Sequence, residues 1–175
     1  MTVLNVVRMG HPVLRRRADE VADPTAPEVA TLVADMVETM IAAGGRGLAA
    51  PQVGVPLRLV VFHAPMDDET LRTGDLASQP LTVLINPVVR PLTDRQEDGW
   101  EGCLSLPGLA GIVPRYPRIR YTGVSDKGEP IDRVANAFHA RVVQHEVDHL
   151  DGILYPQRMR DLRALTFLDA GKDVE

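Results

Sequence analysis

The chain has 175 residues, 45% hydrophobic and 25% charged, which suits one domain with a sizeable core and excludes a disordered or fibrous protein. Its formal net charge of -5 argues against a nucleic-acid binder that works by neutralising phosphates. No apolar run approaches a membrane span, the N-terminal apolar stretch is too short for a secretory signal, and the single cysteine, Cys103, has no partner for an internal disulfide. The expected compartment is therefore the cytoplasm.

Taken in chain order, the basic run Arg15 to Arg17 reads as solvated surface, as does the later PRYPRIR from Pro114 to Arg120. From Thr25 to Gly44 the pattern is helical. Thr25 and Glu28 have capping-box spacing, Val29, Leu32, Val33, Met36 and Met40 fall on one face, and Gly44-Gly45 ends the run. Strands are expected at Leu57 to Phe62, Leu81 to Pro87 and Arg118 to Val124, with a surface loop between the first two from Ala64 to Pro80. Asp126-Lys127-Gly128 reads as a turn into a further strand, IDRVANA, giving a hairpin.

A final helix is expected from an N-cap at Asn136 to a C-cap at Gly152. Phe138, Val142, His145 and His149 share one stripe, while Ala140, Val143, Val147 and Leu150 share another, so the helix is apolar nearly all round and should be buried. No repeat or linker divides the chain, which leaves residues 1–175 as one domain of the α+β class.

This last helix carries the chemistry. Its run Gln144-His145-Glu146-Val147-Asp148-His149 contains HExxH, and four residues advance about 400° around a helix, so His145 and His149 project side by side toward one ion. Glu146 lies about 100° round from His145, at the edge of that face, where a general base belongs. A catalytic metal needs a third protein ligand. Tyr155 stands where a metzincin protease has its last histidine, and the only glutamate downstream of Glu146 is Glu175, so both common protease schemes fail. Upstream, Cys103 lies in GWEGCLSLPG, and a thiolate is a strong ligand for a divalent ion, although an isolated cysteine is ordinarily a small core hydrophobe. His11, His63 and His139 belong to no metal-spacing pattern.

Three segments, GRGLAAPQ from Gly45 to Gln52, EGCLS from Glu101 to Ser105, and QHEVDH from Gln144 to His149, occur together and in order, and in them the sequence resembles the peptide deformylases. The resemblance runs from Gly10 to about Met159. It implies antiparallel or mixed sheets packed around a central metal-binding helix, with a helix near the N-terminus. It also implies one divalent metal held by Cys103, His145 and His149 with water in the fourth place, ferrous iron being favoured and Zn(II), Ni(II) or Co(II) compatible with the same donors. Glu146 would move the proton, and the substrate would be the N-formyl-methionyl end of a nascent polypeptide, cleaved to formate and a free amino terminus, with transient contact with the ribosome as a further expectation.

Hydrolysis of a formamide passes through an oxyanion, for which the side-chain amide of Gln52 and the backbone N–H of Leu104 are candidate donors. Gly45 and Gly47 would let an extended peptide approach and pair as an added strand beside Arg46. Phe138 and Val142 are candidates for a methionine pocket, and core packing would explain them equally well. Glu101 and Arg115 would support the EGCLS segment. Two residues depart from the family: Arg46 stands where an aliphatic side chain is usual, and Ala110 where many members have arginine. A peptidase of the HExxH type and a metal-stabilised binding module are the competing readings.

Overall fold

The computed structural model describes residues 2–64 and 80–169, so the expected Ala64 to Pro80 loop lies, apart from its two end residues, outside the described residues. The architecture follows from strand β2 (Leu59–His63), whose sequence LVVFH is apolar at four consecutive positions. Successive side chains in a strand point to opposite faces, so such a run is stable only when both faces are covered. Val60 and Phe62 pack with Ala140, Val143, Val147 and Leu150 of helix α2 (Ala137–Leu150), whereas Leu59 and Val61 pack with Val29, Val33, Met36 and Met40 of helix α1 (Pro27–Ala42). The sheet thus lies between the two helices, and each fully buried aliphatic side chain in these clusters contributes about 1.5–3 kcal/mol of transfer free energy.

That sheet has five antiparallel strands in the order β1 (Gly47–Ala49), β2, β3 (Leu81–Pro91), β6 (Arg118–Val124) and β7 (Pro130–Asn136). A second sheet joins β4 (Glu97–Cys103), β5 (Leu106–Arg115) and the short β8 (Thr166–Phe167). The α+β class, the antiparallel sheets, the N-terminal helix and the β6–β7 hairpin match expectation. Strand β1 is last in its sheet and, among the described residues, is paired only with β2.

Four local expectations need correction. The capping box at Thr25 does not form: α1 starts at Pro27 with Ala26 as N-cap, and the Thr25 hydroxyl donates to Asp23 Oδ1 at 2.7 Å. The local Asp23 turn takes that side chain, and proline at the first helical position fixes the start. The strand expected to end at Pro87 continues to Pro91 through a bulge between Ile85 and Val88. Asn86 occupies the bulge with φ 51° and bonds both backbone groups of Val21, a conformation asparagine tolerates better than most residues. The β4–β5 hairpin was not expected as strands, and Arg115 at its end is 5% exposed, not solvated. Asn136 occupies the N-cap of α2 but makes no capping hydrogen bond through its side chain.

The end of α2 is also one residue earlier than expected. Asp151 is the C-cap and Gly152 follows it at φ 73°. Ile153 N–H donates to Asp148 C=O at 2.9 Å and Gly152 N–H to His149 C=O at 3.2 Å, the paired bonds of a Schellman motif. A side chain at Gly152 would also run into the backbone of Arg15 and Arg16, at 2.8–3.0 Å. Gly152→Ala is therefore expected to lower unfolding stability by about 2 kcal/mol or more. Asparagine, which accepts positive φ, should rescue little of this in urea unfolding. Full rescue by Gly152→Asn would show that backbone conformation alone, not contact with the Arg15–Arg16 segment, requires the glycine.

Candidate metal centre

Helix α2 sets His145 and His149 one turn apart, their ring centroids separated by 4.9 Å. Cys103 comes from the end of β4, where the pairing with β5 shifts register between Gly102 and Cys103, and such a bulge re-aims a side chain. The Cys103 sulfur lies 3.4 Å from His149 Nε2, and the ligand atoms of Cys103, His145 and His149 all lie within 4.8 Å of one another. A tetrahedral ion with metal–nitrogen and metal–sulfur bonds of ordinary length separates its N and S ligands by about 3.6 Å. One thiolate and two imidazoles at these separations fit a single divalent ion. Tyr155 stays outside the cluster, its ring stacked on His145 at 6.3 Å.

The other three histidines are elsewhere. His11 Nδ1 accepts from Val13 N–H, His139 sits 3.3 Å from the Tyr121 hydroxyl, and His63 ends β2. Burial, then the charge of Arg133, pushes His139 down to about 4, so it is neutral at physiological pH.

Behind the ligands lies a chain of buried ions. His145 Nδ1 is 2.8 Å from Glu101 Oε2, which turns Nε2 of the same ring toward the cluster. Glu101 is gripped by Arg115 through two bonds of 2.9 and 3.0 Å and by Arg141 at 2.9 Å. Arg115 reaches on to Asp148 at 2.5 Å, and Arg158 closes on the same carboxylate at 2.8 Å. Burial alone would raise Glu101, but the hydrogen bonds from His145 and Arg115 outweigh it and hold the carboxyl at about 2. Burial likewise acts against the Arg115 charge, and the bonds to Glu101 and Asp148 overcome it. The expected pairing of Glu101 with Arg115 is therefore present. Asp148, Arg141 and Arg158 were missed, although Arg141 and Asp148, four residues before and three after His145, sit on positions adjacent to it on the helix surface.

Gln144 opens the QHEVDH segment, and its role lies outside the helix. Its side-chain amide donates to Tyr116 C=O at 2.9 Å and accepts from Tyr116 N–H at 3.0 Å, tying α2 to the end of β5.

Glu146 occupies the other side of the cluster. Its carboxylate lies where a Cβ on Gly47 would be, so the glycine is required by the glutamate itself. Burial pushes this carboxyl up to about 7, and Oε2 has no hydrogen-bond partner among the described residues. Gly45 plays a similar part toward Leu104, whose Cδ1 would stand 2.9 Å from an added Cβ. Gln52 is 2% exposed, and its Oε1 accepts from Ala49 N–H at 2.9 Å. That bond directs the amide nitrogen toward Ser105 Oγ, at 3.2 Å, and Cys103 Sγ, at 3.5 Å. Leu104 follows Cys103 in the turn between β4 and β5.

These groups open on one cleft of about 480 Å³. Its walls are the Gly45–Arg46–Gly47 segment on one side and the β4–β5 turn on the other, with Phe138, Val142, His145 and Glu146 of α2 at its base. The cleft therefore opens on a candidate three-ligand metal cluster and combines it with a carboxylate pushed up by burial, an amide donor beside the Cys103 sulfur and an apolar recess, the parts required to add water across a small carbonyl.

A family model described as polypeptide deformylase matches residues 3–164. Peptide deformylase 2 of Ralstonia nicotianae is 53% identical over 94% of this chain and 91% of its own length. Peptide deformylase 1 of Nitrosomonas europaea is also 53% identical, over 94% and 92%. Among solved structures, the Ehrlichia chaffeensis peptide deformylase in complex with actinonin is 32% identical with TM-score 0.82, covering 94% of this chain and 92% of that one. The class I type b enzyme of Acinetobacter baumannii bound to Met-Ala-Ser is 31% identical with TM-score 0.79, covering 90% and 99%. With the matched length, the identity and the architecture in agreement, the chain belongs to the polypeptide deformylase family, metal-dependent hydrolases that remove the formyl group from N-terminal formylmethionine.

Proposed function

We propose that Cys103, His145 and His149 hold the metal, that Glu146 moves the proton, and that Gln52 and the Leu104 N–H receive the charge of the transition state. The observation that carries this reading is that Cys103, His145, Glu146 and Gln52 line one cleft, with the buried His149 completing the ligand cluster behind them. The substrate is a nascent chain bearing N-formyl-methionine, met in the cytoplasm in transient contact with the ribosome. Residues 1–175 act as one catalytic domain. Ferrous iron is the native ion, with Zn(II), Ni(II) or Co(II) as replacements on the same donors.

When bound, the ion supplies Lewis-acid activation of water and of the formyl carbonyl. The chain's own groups do the rest. Glu146 accepts a proton from the attacking water at its unpartnered oxygen and returns it to the amide nitrogen as the C–N bond breaks, giving formate and a free amine. Gln52 Nε2–H, already aimed at the thiolate, donates to the developing oxyanion beside it, together with the Leu104 N–H. Glu101 and Arg115 fix the His145 ring. Val142, backed by Phe138, receives the methionine side chain, and the peptide backbone lies along the open edge of β1 beside Gly45, Arg46 and Gly47.

Three measurements test these roles. Cys103→Ala is expected to lose stoichiometric metal in elemental analysis after anaerobic purification, whereas Tyr155→Phe keeps it. Full metal in Cys103→Ala would remove the thiolate from the ligand set.

Glu146→Gln should fold and retain metal, yet release formate from formyl-Met-Ala-Ser about 10²- to 10⁴-fold more slowly. A base works only when ionised, so kcat/KM of the unmodified enzyme must fall as pH drops through the Glu146 pKa. That limb lies at or below about 7, since a neighbouring cation favours the carboxylate. A profile flat from about pH 5 to about pH 8 would contradict the role.

Gln52 both satisfies a buried backbone N–H and presents a donor, so Gln52→Leu should lose on two counts. Unfolding stability is expected to fall by about 1–3 kcal/mol and turnover by about a hundredfold or more with metal content retained. Normal turnover in a metal-replete Gln52→Leu would eliminate the oxyanion role.

A further inference from the structure

Four charged residues line the cleft: Arg46, Glu101, Arg141 and Glu146. Glu101 and Glu146 are buried at the metal cluster. Arg141 is committed, its guanidinium bonded to Glu101 and to the backbone carbonyls of Glu97 and Val113. Arg46 alone among the four is exposed, and it has no ion-pair or hydrogen-bond partner for its side chain among the described residues. On β5, the lining residues Leu106, Pro107, Gly108 and Leu109 carry no charge, and Ala110 beyond them is buried and pairs with Thr166 of β8.

Strand geometry decides what Arg46 faces. His63 N–H donates to Arg46 C=O at 2.8 Å, so the Arg46 backbone is turned inward to β2. Gly47, opposite Phe62, is turned the other way and presents its N–H and C=O to the open edge. A Cβ on Gly47 would point at Glu146, so the Gly47 face is the metal face, and alternation places the Arg46 side chain on the opposite one. A peptide added along this edge with its methionine side chain toward Val142 obeys the same alternation. Its next side chain emerges on the Arg46 face, directly opposite or diagonal to the guanidinium and within reach of so long a side chain.

We propose that Arg46 is a specificity-determining residue that makes this cleft favour formylated chains with an acidic residue immediately after the formylmethionine and disfavour those with a basic one. The proposal rests on the reading of the cleft as a deformylase site that binds its peptide along β1. Its expression is electrostatic and solvent-exposed, so it acts on binding and weakens with salt.

The test uses the metal-loaded full chain and three peptides, formyl-Met-Asp-Ser, formyl-Met-Ala-Ser and formyl-Met-Lys-Ser, with kcat and KM measured for formate release at about 20 mM and about 500 mM salt. At low salt the ratio of kcat/KM for the Asp over the Lys peptide is expected to be about three- to tenfold, carried mainly by KM, and to shrink at high salt. The ratio should approach one in Arg46→Ala and invert in Arg46→Glu. An Asp-to-Lys ratio that is the same in Arg46→Ala as in the unmodified enzyme, or a starting ratio at or below one, overturns the proposal while formyl-Met-Ala-Ser turnover leaves the deformylase reading standing. No formate from any of the three peptides overturns both.

Discussion

The carboxylate of Glu101 is the point on which the rest of the site depends. Taking a carboxylate out of water costs several kcal/mol, and only well-placed partners offset it. Glu101 has three, His145 on α2, Arg115 at the end of β5 and Arg141 on α2, so one buried anion joins the hairpin to the helix. Cys103 is two residues further along the same strand. The contacts that hold Glu101 therefore also set where the thiolate meets the two imidazoles. Such a network is weak evidence for net stability, since apolar groups of the same volume could pack as well. It is strong evidence for geometry, because removing one partner leaves an uncompensated charge in the interior.

The same interior holds a second glutamate in the opposite condition. Glu101, with cationic donors on both oxygens, is held at about 2, whereas Glu146, packed against a glycine backbone with one oxygen unpartnered, is pushed up to about 7. Both belong to the surroundings of His145. Separation of two carboxyl pKa values by environment is how a site keeps one as a fixed anion and the other as an exchangeable base. Gly47 is part of that division, because any larger residue there would displace the Glu146 carboxylate from its dry position.

How much of this was legible depends on sequence distance. The pair His145 and His149 and the edge position of Glu146 follow from helical periodicity, which is local, and the structure places them where the period puts them. The α1 core stripe and the β6–β7 hairpin are local in the same way. The β4–β5 hairpin was not legible, because the one buried residue of β4 is the charged Glu101 and β5 is interrupted by proline and glycine, so neither carries an apolar period. Arg115 looked like surface for the same reason: an arginine is buried only when its partners are present, and Glu101 and Asp148 lie 14 and 33 residues away. The functional need for Gly47 was assigned to an incoming peptide, whereas the structure adds the Glu146 carboxylate, 99 positions on, as a second reason. Cys103 became a ligand candidate only through its two distant histidines and the family resemblance.

Strand β1 shows how the fold and the activity constrain one another. An unpaired strand edge is an invitation to pair with other chains, and proteins usually shorten, charge or cover it. Here the strand is three residues long, and its Gly47 lines a cleft shared with the β4–β5 turn. Covering the edge with another strand would remove the hazard and close the cleft together. The hairpin is tied to α2 through Glu101–His145 and Arg115–Asp148, whereas β1 is paired with β2, so the two walls of the cleft are fixed separately. The buried ion network thus ties the hairpin that carries Cys103 to the helix that carries His145 and His149, while leaving β1 outside its contacts.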